Sequence, residues 1–325
     1  MPKMMIDGVW RGDVADADAP RIEASAFRGR VEDAPGAPFP AERGRYHLYV
    51  SYACPFAHRT LVARALAGLG EAVGVGVLHP RWNTADGWMF GHAPWASPDR
   101  AAGFTHLHQA YTAARPGYTG RVTVPVLWDA RRRTIVNNDS RDIVLMLATA
   151  FGRLGNGIDL YPERLRAAID DLDGRLSDDL ARGVYAVGGA RDQAAYDAAH
   201  DALFACLDDL DARLSDGRPF LHGARPTVSD ILAFTPLVRF DAVYNPLFRA
   251  SWKRLVDYPR LSAWAARVHD LPGVADTVRL DHVLAHYHDG DWGVATRVGI
   301  VPRLPARGFR DRPAPTPQAH EGCAA

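Results

Sequence analysis

The spacing of apolar residues changes near residue 160 of this 325-residue chain. Before that point, short runs of β-branched and aromatic residues alternate with helix-forming segments. The predicted strands are 46–51, 73–78, 121–128 and 134–137, and the predicted helices are 57–67 and 139–147. One side of the first predicted helix is apolar and carries Leu61, Ala65 and Leu66. Arg59 and Arg64 lie elsewhere on the helix. This order of elements is typical of a thioredoxin-like α/β domain, which we expect at residues 45–152.

From Tyr161 onward the apolar residues, mostly leucines, recur only at helical spacing. The predicted helices are 162–180, 196–214, 231–240, 259–269 and 273–284. Thr227 and Asp230 have the spacing of a capping box ahead of the third of these. We therefore expect an all-helical bundle domain at residues 160–290. The flanking segments have no sustained period, so we predict an extended N-terminal lead-in at 1–44 and a C-terminal tail at 291–325.

The composition narrows the classes of function. Hydrophobic residues make up 47% of the chain, and its 38 Lys and Arg balance its 38 Asp and Glu, so nucleic acid is not an expected partner. No stretch approaches the ~18 consecutive apolar residues of a membrane span, and residues 1–10 carry no secretory signal pattern. The three cysteines are an odd number at wide spacing, unlike a disulfide framework. We expect a cytoplasmic protein with reduced thiols.

Cys54 stands where a predicted strand meets a predicted helix, and Pro55 follows it. The thiolate is the nucleophilic form of cysteine, and the free N–H groups at a helix N-terminus favour an anion, so we expect a lowered pKa for Cys54. A dithiol motif would have its second cysteine at Ala57, so no intramolecular disulfide can form here. The second thiol must come from another molecule, for which glutathione is the obvious donor.

Two further positions fit a glutathione site. Pro125 lies inside a predicted strand, where proline is normally excluded. In thioredoxin-type folds a cis-proline at this place lies opposite the cysteine and presents the backbone of the preceding residue, here Val124, to a peptide-like ligand. Asp139 and Ser140 begin the next predicted helix and offer a carboxylate for a ligand ammonium group and N–H groups for a ligand carboxylate. In this order the signals describe a glutathione site.

Residues 48–59, Leu-Tyr-Val-Ser-Tyr-Ala-Cys-Pro-Phe-Ala-His-Arg, resemble the active-site signature of the glutathionyl-hydroquinone reductases, the Xi class of glutathione transferases. Further similar segments extend over nearly the whole chain: 21–28, 87–90, 118–129, 137–140, 183–185, 237–244 and 282–287. The chain departs from the family pattern at Phe56, at Asp139 (usually Glu), at Ala285, at His288 and in residues 296–302. Most of the later departures lie on the side of the aromatic substrate.

The resemblance implies a glutathione transferase fold and an enzyme that reduces glutathionyl-hydroquinones through a Cys54–glutathione mixed disulfide. It implies glutathione as co-substrate, no metal, a glutathionylated aromatic substrate, and a homodimer formed through the helical domains. The residues expected to bind glutathione are Trp88, Val124, Asp139 and Ser140, with Pro125 structural at the site. The residues expected to line an aromatic pocket are Tyr185, Tyr244 and Tyr287.

Other interpretations of the same residues remain open. Cys54 would serve equally well in an omega-like thioltransferase or dehydroascorbate reductase, or the chain could be a non-catalytic binding protein on the same fold. β-Aryl-ether cleavage fits less well, because glutathione is commonly the nucleophile there. Trp88 and the tyrosines could be core residues, as we expect for Cys206. His282, His286 and His288 have metal-ligand spacing, but no acidic ligand or cysteine completes a metal motif.

Overall fold

The computed structural model describes residues 4–12, 26–82 and 85–289. The strands in these residues are β1 (Met4–Ile6), β2 (Val9–Arg11), β3 (Tyr46–Val50), β4 (Val73–Val77), β5 (Gly120–Arg121), β6 (Val126–Asp129) and β7 (Thr134–Asn137). The α-helices are α1 (Pro55–Leu66), α2 (Leu107–Ala114), α3 (Ser140–Ala148), α4 (Arg166–Arg175), α5 (Gly183–Gly189), α6 (Gln193–Arg213), α7 (Val228–Leu237), α8 (Asn245–Leu247), α9 (Pro259–His269) and α10 (Leu280–Asp289).

The main sheet has four strands in the order β4-β3-β6-β7. β3 pairs parallel with β4 across the crossover helix α1, whereas β6 pairs antiparallel with both β3 and β7. α1 and α3 pack against each other beside this sheet, and the chain is helical from α4 onward. The expected fold class, a thioredoxin-like domain followed by a helical domain, is confirmed. The exact boundaries at 45–152 and 160–290 remain predictions.

The N-terminal lead-in contains paired strands that the sequence analysis did not predict. β1 and β2 form an antiparallel hairpin, and β1 also pairs with β5 to make a second, three-stranded sheet. The hairpin turns at Asp7 and Gly8, which both have positive φ as a tight two-residue turn requires. Strands of three residues are too short for a period of two to be recognised, which is why this segment was missed.

The predicted strand at 121–128 is interrupted in the structure. β5 ends at Arg121 and β6 begins at Val126, so the residues between them belong to neither strand. Pro125 has no backbone N–H to donate to a neighbouring strand, which explains the break. The Val124–Pro125 peptide bond is cis, as expected.

The capping box before α7 is present, with Thr227 and Asp230 bonded reciprocally. The helix begins at Val228 and ends at Leu237, earlier than predicted, because Pro236 lies in its last turn and cannot donate a backbone hydrogen bond. A π-helical turn, Phe240–Tyr244, follows after a gap of two residues.

The predicted helix at 273–284 is displaced toward the C-terminus. Only a short 3₁₀ turn, Ala275–Thr277, forms in its first half, and α10 begins at Leu280. β-Branched residues at 274, 277 and 278 lower the helix propensity of the first half. The expected tail at 291–325, with Cys323 and the divergent residues 296–302, lies outside the described residues, as does much of the segment 21–28.

Arg59, which we expected away from the apolar side of α1, is buried. The helix packs against both α3 and α7, and His58, Arg59 and Thr60 are all buried. A helix between two domains needs no polar solvent face, and its polar side chains then serve the interface. Among the described residues, no helix is both long and apolar enough to cross a bilayer.

Candidate active site at the start of the first helix

Cys54 is the N-cap residue of α1, with extended backbone dihedrals and Pro55 at the first helical position. Its side chain is half-buried, and its Sγ lies 3.8 Å from the carbonyl oxygen of Val124. The amides of Phe56 and Ala57 in the first turn favour the charged form of the thiol. The structure therefore brings three predicted site residues together: Cys54, Val124 and Pro125.

The expected lowering of the Cys54 pKa is not the net result. Burial raises the pKa of the Cys54 thiol above its ordinary value. The amide N–H groups of Ala57 and Phe56 and the positive charges of Arg239 and Arg59 oppose that rise. The helix N-terminus therefore acts in the predicted direction, but desolvation outweighs it.

Arg239 is a site residue that the sequence analysis missed. It lies between α7 and the following π-helical turn, is 1% exposed, and reaches across to the loop before Cys54. Its Nη2 donates to the carbonyl of Tyr52 (2.7 Å) and its Nε to the carbonyl of Ala53 (3.1 Å). The sequence did contain a signal for it, because Arg239 is the one charged residue in the apolar run 231–240. A cation buried in such a run needs hydrogen-bond acceptors, which points to a specific contact.

The three predicted pocket tyrosines converge on Cys54. Tyr185 and Tyr287 share a hydrogen bond of 2.6 Å between their hydroxyls, and the ring of Tyr244 lies 6.0 and 6.2 Å from theirs. Burial raises the pKa of all three phenols, and the charge of Cys54 raises them further. Phe56 stacks on Tyr185 with the ring centroids 6.2 Å apart. The phenols therefore stay protonated beside the thiol and can donate hydrogen bonds.

Trp88 lies at the edge of this group. Its ring stacks on His286 with a centroid distance of 5.6 Å and an interplanar angle of 15°. His286 in turn contacts Tyr287, and its Nδ1 lies 2.6 Å from the carbonyl oxygen of Pro80. Since a carbonyl only accepts, Nδ1 carries the proton. Trp88 is therefore connected to the tyrosines through a ring contact with His286, the neighbour of Tyr287 on α10.

Asp139 and Ser140 stand at the start of α3. Asp139 is the N-cap, and its Oδ1 accepts from the amides of Arg141 (2.9 Å) and Asp142 (3.0 Å). Its other oxygen lies 3.1 Å from Nη1 of Arg28, in a pair that is partly exposed on both sides. The Oγ of Ser140 accepts from Arg59 at 3.4 Å, which links this helix start to α1.

The remaining candidates have packing roles. Cys206 is buried on α6, where burial raises its pKa to about 12. The rings of His282 and His286 pack against Trp95 and Trp88 respectively, and His288 lies 3.3 Å from the carbonyl of Ala242. Across the described ranges, no group of three or more His, Cys, Asp or Glu side chains is arranged to hold a metal ion.

Comparison with known proteins places this geometry in a family. Residues 53–150 match the model of the glutathione S-transferase N-terminal domain, and residues 193–267 match that of the C-terminal domain. The chain is 41% identical over 309 residues to the glutathionyl-hydroquinone reductase PcpF of Sphingobium chlorophenolicum, which covers 94% of this chain and 96% of PcpF.

Solved structures agree with this comparison. A Xi-class glutathione transferase from Natrialba magadii superposes with a TM-score of 0.88 at 39% identity, over 95% of each chain. The glutathione-bound structure of YqjG, a glutathione transferase homolog from Escherichia coli K-12, superposes with a TM-score of 0.85 at 39% identity, over 95% of this chain and 97% of YqjG.

The buried histidine beneath Trp88 makes the fold sensitive to acid. Burial lowers the pKa of His286 to about 4, so the folded protein binds fewer protons than the unfolded chain between pH 4 and the ordinary value of 6.5. The stability linked to this ring is present above pH 6.5 and lost as the pH falls toward 4. At most it is worth roughly 3 kcal/mol.

We expect His286→Phe, which keeps the stack on Trp88 but removes the titration, to flatten the fall of the melting temperature below pH 6.5. Melting of both proteins by circular dichroism across this range measures the slope. The same pair above pH 6.5 is the control, because any difference there reports lost packing or the lost Pro80 hydrogen bond. An unchanged slope would contradict the assignment.

Proposed function

The chain belongs to the glutathione S-transferase family and within it to the glutathionyl-hydroquinone reductases of the Xi class, and on this premise we propose that it reduces glutathionyl-hydroquinones to free hydroquinones with glutathione as co-substrate. Cys54 is the nucleophile in this proposal, and the reaction uses no metal. The observation that carries it is the meeting of Cys54, at the N-terminus of α1, with the protonated phenols of Tyr185, Tyr244 and Tyr287.

In the first step the Cys54 thiolate attacks the sulfur of the bound conjugate. An S–S bond forms between Cys54 and glutathione, and the bond from that sulfur to the ring carbon breaks. The ring carbon keeps the electron pair and takes up a proton, so the sulfur is oxidised and the aromatic carbon is reduced. The phenols beside Cys54 fit this step, because a protonated hydroxyl can hydrogen-bond the oxygens of the leaving ring.

In the second step a free glutathione thiolate attacks the glutathione sulfur of the mixed disulfide. Oxidised glutathione leaves, and Cys54 returns as a thiolate. The outside thiol is necessary because Ala57 occupies the place of a resolving cysteine. The net reaction turns one conjugate and one glutathione into one hydroquinone and one oxidised glutathione.

We assign glutathione to the proposed glutathione groove, the region bounded by Val124, the start of α3 and Trp88. The carbonyl of Val124, close to Cys54, would pair with the glutathione backbone. Asp139 would hold the γ-glutamyl ammonium group, and Ser140 at the start of α3 would hold its carboxylate. Trp88, fixed by its stack on His286, would cover the peptide.

The wider setting is also part of the proposal. Glutathione chemistry of this kind fits a cytoplasm with a reduced thiol pool, where we place the protein. We propose that it forms a homodimer through the helical domain. The family resemblance implies this mode of association.

The first test is turnover. With glutathionyl-hydroquinone and excess glutathione, the wild type should yield hydroquinone and oxidised glutathione in equal amounts, measured by chromatography. Cys54→Ser should lose turnover by at least about a thousandfold, because a hydroxyl is a far weaker nucleophile than a thiolate at neutral pH.

Cys206→Ser is the matched control, since it removes a buried cysteine that packs in α6, and it should retain turnover. If the wild type is inactive on the conjugate but reduces simple glutathione mixed disulfides, the thiol chemistry stands and the aromatic substrate is wrong. Full activity of Cys54→Ser would exclude the proposed nucleophile.

The carboxylate of Asp139 has two separable roles, as helix cap and as ammonium ligand. Asp139→Asn keeps a good N-cap and removes the charge, so we expect little change in melting temperature but a rise of roughly tenfold in the KM for glutathione. Asp139→Ala should raise the KM and also cost roughly 1 kcal/mol of stability. Initial-rate kinetics and thermal melting measure the two effects.

Asp192→Ala provides the control, because Asp192 caps α6 by accepting from the amide of Ala195 and is not part of the proposed glutathione groove. It should lower the melting temperature in the same way as Asp139→Ala while leaving the KM unchanged. Equal KM values for Asp139→Asn and the wild type would remove Asp139 from the glutathione site.

A further inference from the structure

We propose that Arg239 is a positioning residue for Cys54: from the helical domain it holds the two backbone carbonyls that precede the nucleophile and so sets where the thiol lies. The inference rests on the proposed function of Cys54. It concerns a residue more than 180 positions away in the sequence, whose side chain crosses the interface between the two domains.

The contacts of Arg239 use the whole guanidinium fork. Nη2 and Nε donate to the consecutive carbonyls of Tyr52 and Ala53, at 2.7 and 3.1 Å. Nη1 donates to the carbonyl of Thr235 in α7, which ties the group to its own domain, and also lies 3.0 Å from Nδ1 of His58. A planar fork can satisfy several acceptors at fixed angles, whereas an ammonium group cannot reproduce that arrangement.

The protonation of His58 follows from its two partners. The Oγ1 of Thr277 donates to the carbonyl of Val274 at 2.7 Å, so it must accept from Nε2 of His58 at 2.8 Å. With the proton on Nε2, Nδ1 is left as an acceptor, which is what Nη1 of Arg239 requires. Burial and the charge of Arg239 lower the pKa of His58 well below its usual range, in agreement with a neutral ring.

This network therefore runs in one direction, from Arg239 through neutral His58 to Thr277 and the carbonyl of Val274. His58 lies one turn after Cys54 on the same helix, and its amide donates to the Cys54 carbonyl at 3.0 Å. Arg239 therefore contacts the chain on both sides of Cys54. It bonds the carbonyls of residues 52 and 53 before the cysteine and the ring of His58 after it. A small shift of either contact would move the thiol relative to the first-turn amides and to the carbonyl of Val124.

The charge of Arg239 acts on the thiol as well. The groups that face Cys54 are the guanidinium of Arg59 from its own helix, that of Arg239 from the helical domain, and the phenols of Tyr185, Tyr244 and Tyr287. Both guanidinium groups lower the pKa of Cys54 against the effect of burial. The three phenols are neutral, so the positive charge that lowers the pKa of Cys54 comes from the two arginines.

The test separates the position of the thiol from its charge environment. The thiol pKa is measured from the pH dependence of alkylation by iodoacetamide, with peptide mapping to distinguish Cys54 from the other cysteines, and kcat and KM are measured with glutathionyl-hydroquinone. Arg239→Met should raise the pKa of Cys54, because a positive charge that favours the thiolate is lost, and should therefore slow alkylation at neutral pH and lower kcat. Arg239→Lys, which keeps the charge but not the fork, should retain a pKa near that of the wild type yet still lose kcat with little change in KM.

Arg213→Met is the matched control, because it removes another arginine-to-carbonyl bond, from Nε to Leu221 at 2.8 Å, within the helical domain. It should change neither the Cys54 pKa nor kcat. A wild-type pKa and kcat in Arg239→Met would overturn the inference. If that variant does not fold, Arg239→Lys decides, and a wild-type kcat there would also overturn it.

The two proposals fail in different ways. If the wild type turns over no conjugate, the proposed function fails. If the wild type is active but Arg239→Met and Arg239→Lys match it in kcat and in the pKa of Cys54, only the role of Arg239 fails.

Discussion

The packing of α1 between two domains is the constraint on which the site depends. The helix contacts α3 and β3 of its own domain and α7 of the helical domain. Its polar side chains are therefore buried, and each unpaired buried group costs roughly 1–3 kcal/mol. His58 meets this demand with Arg239 and Thr277, and Thr60 bonds the carbonyl of Ala57. The contacts that satisfy the helix also fix its N-cap residue, Cys54.

Arg59 is also buried on α1, but only part of its guanidinium group has hydrogen-bond partners. Its guanidinium is buried over the ring of Phe56 and donates to Ser140, while Nε and Nη2 have no partner among the described residues. Burial accordingly lowers its pKa to about 10, so it is still a cation at neutral pH. A positive charge is thus kept beside the thiol at a cost in desolvation, and the helix N-terminus and Arg239 act on Cys54 in the same direction.

Local signals were enough to predict much of this protein. The strand-to-helix step at Cys54, the proline at 125, the helix start at Asp139 and Ser140 and the capping box at 227–230 are all encoded within a few residues, and all are present. The short hairpin at 4–11 and the break at 122–125 were missed, because very short strands leave no measurable period and a proline interrupts a strand without changing its apolar pattern.

The electrostatics of the site and its long-range contacts could not be predicted in this way. The helix N-terminus correctly indicated a force that lowers the Cys54 pKa, but the larger effect of burial depends on residues far away in the chain. Arg239 lies in an apolar run that marks it as buried, yet its acceptors at 52 and 53 are fixed only by the docking of the two domains. The stack of His286 on Trp88 likewise joins two distant segments.

The central claim is that Cys54 carries the glutathione between the two half-reactions. The most direct measurement incubates the enzyme with glutathionyl-hydroquinone and no free glutathione, digests it without reductant, and maps the peptides by mass spectrometry. We expect one glutathione on Cys54, with one hydroquinone released per site and the adduct removed when glutathione is added. Hydroquinone released with no adduct on Cys54, or an adduct confined to Cys206 or Cys323, would contradict the account.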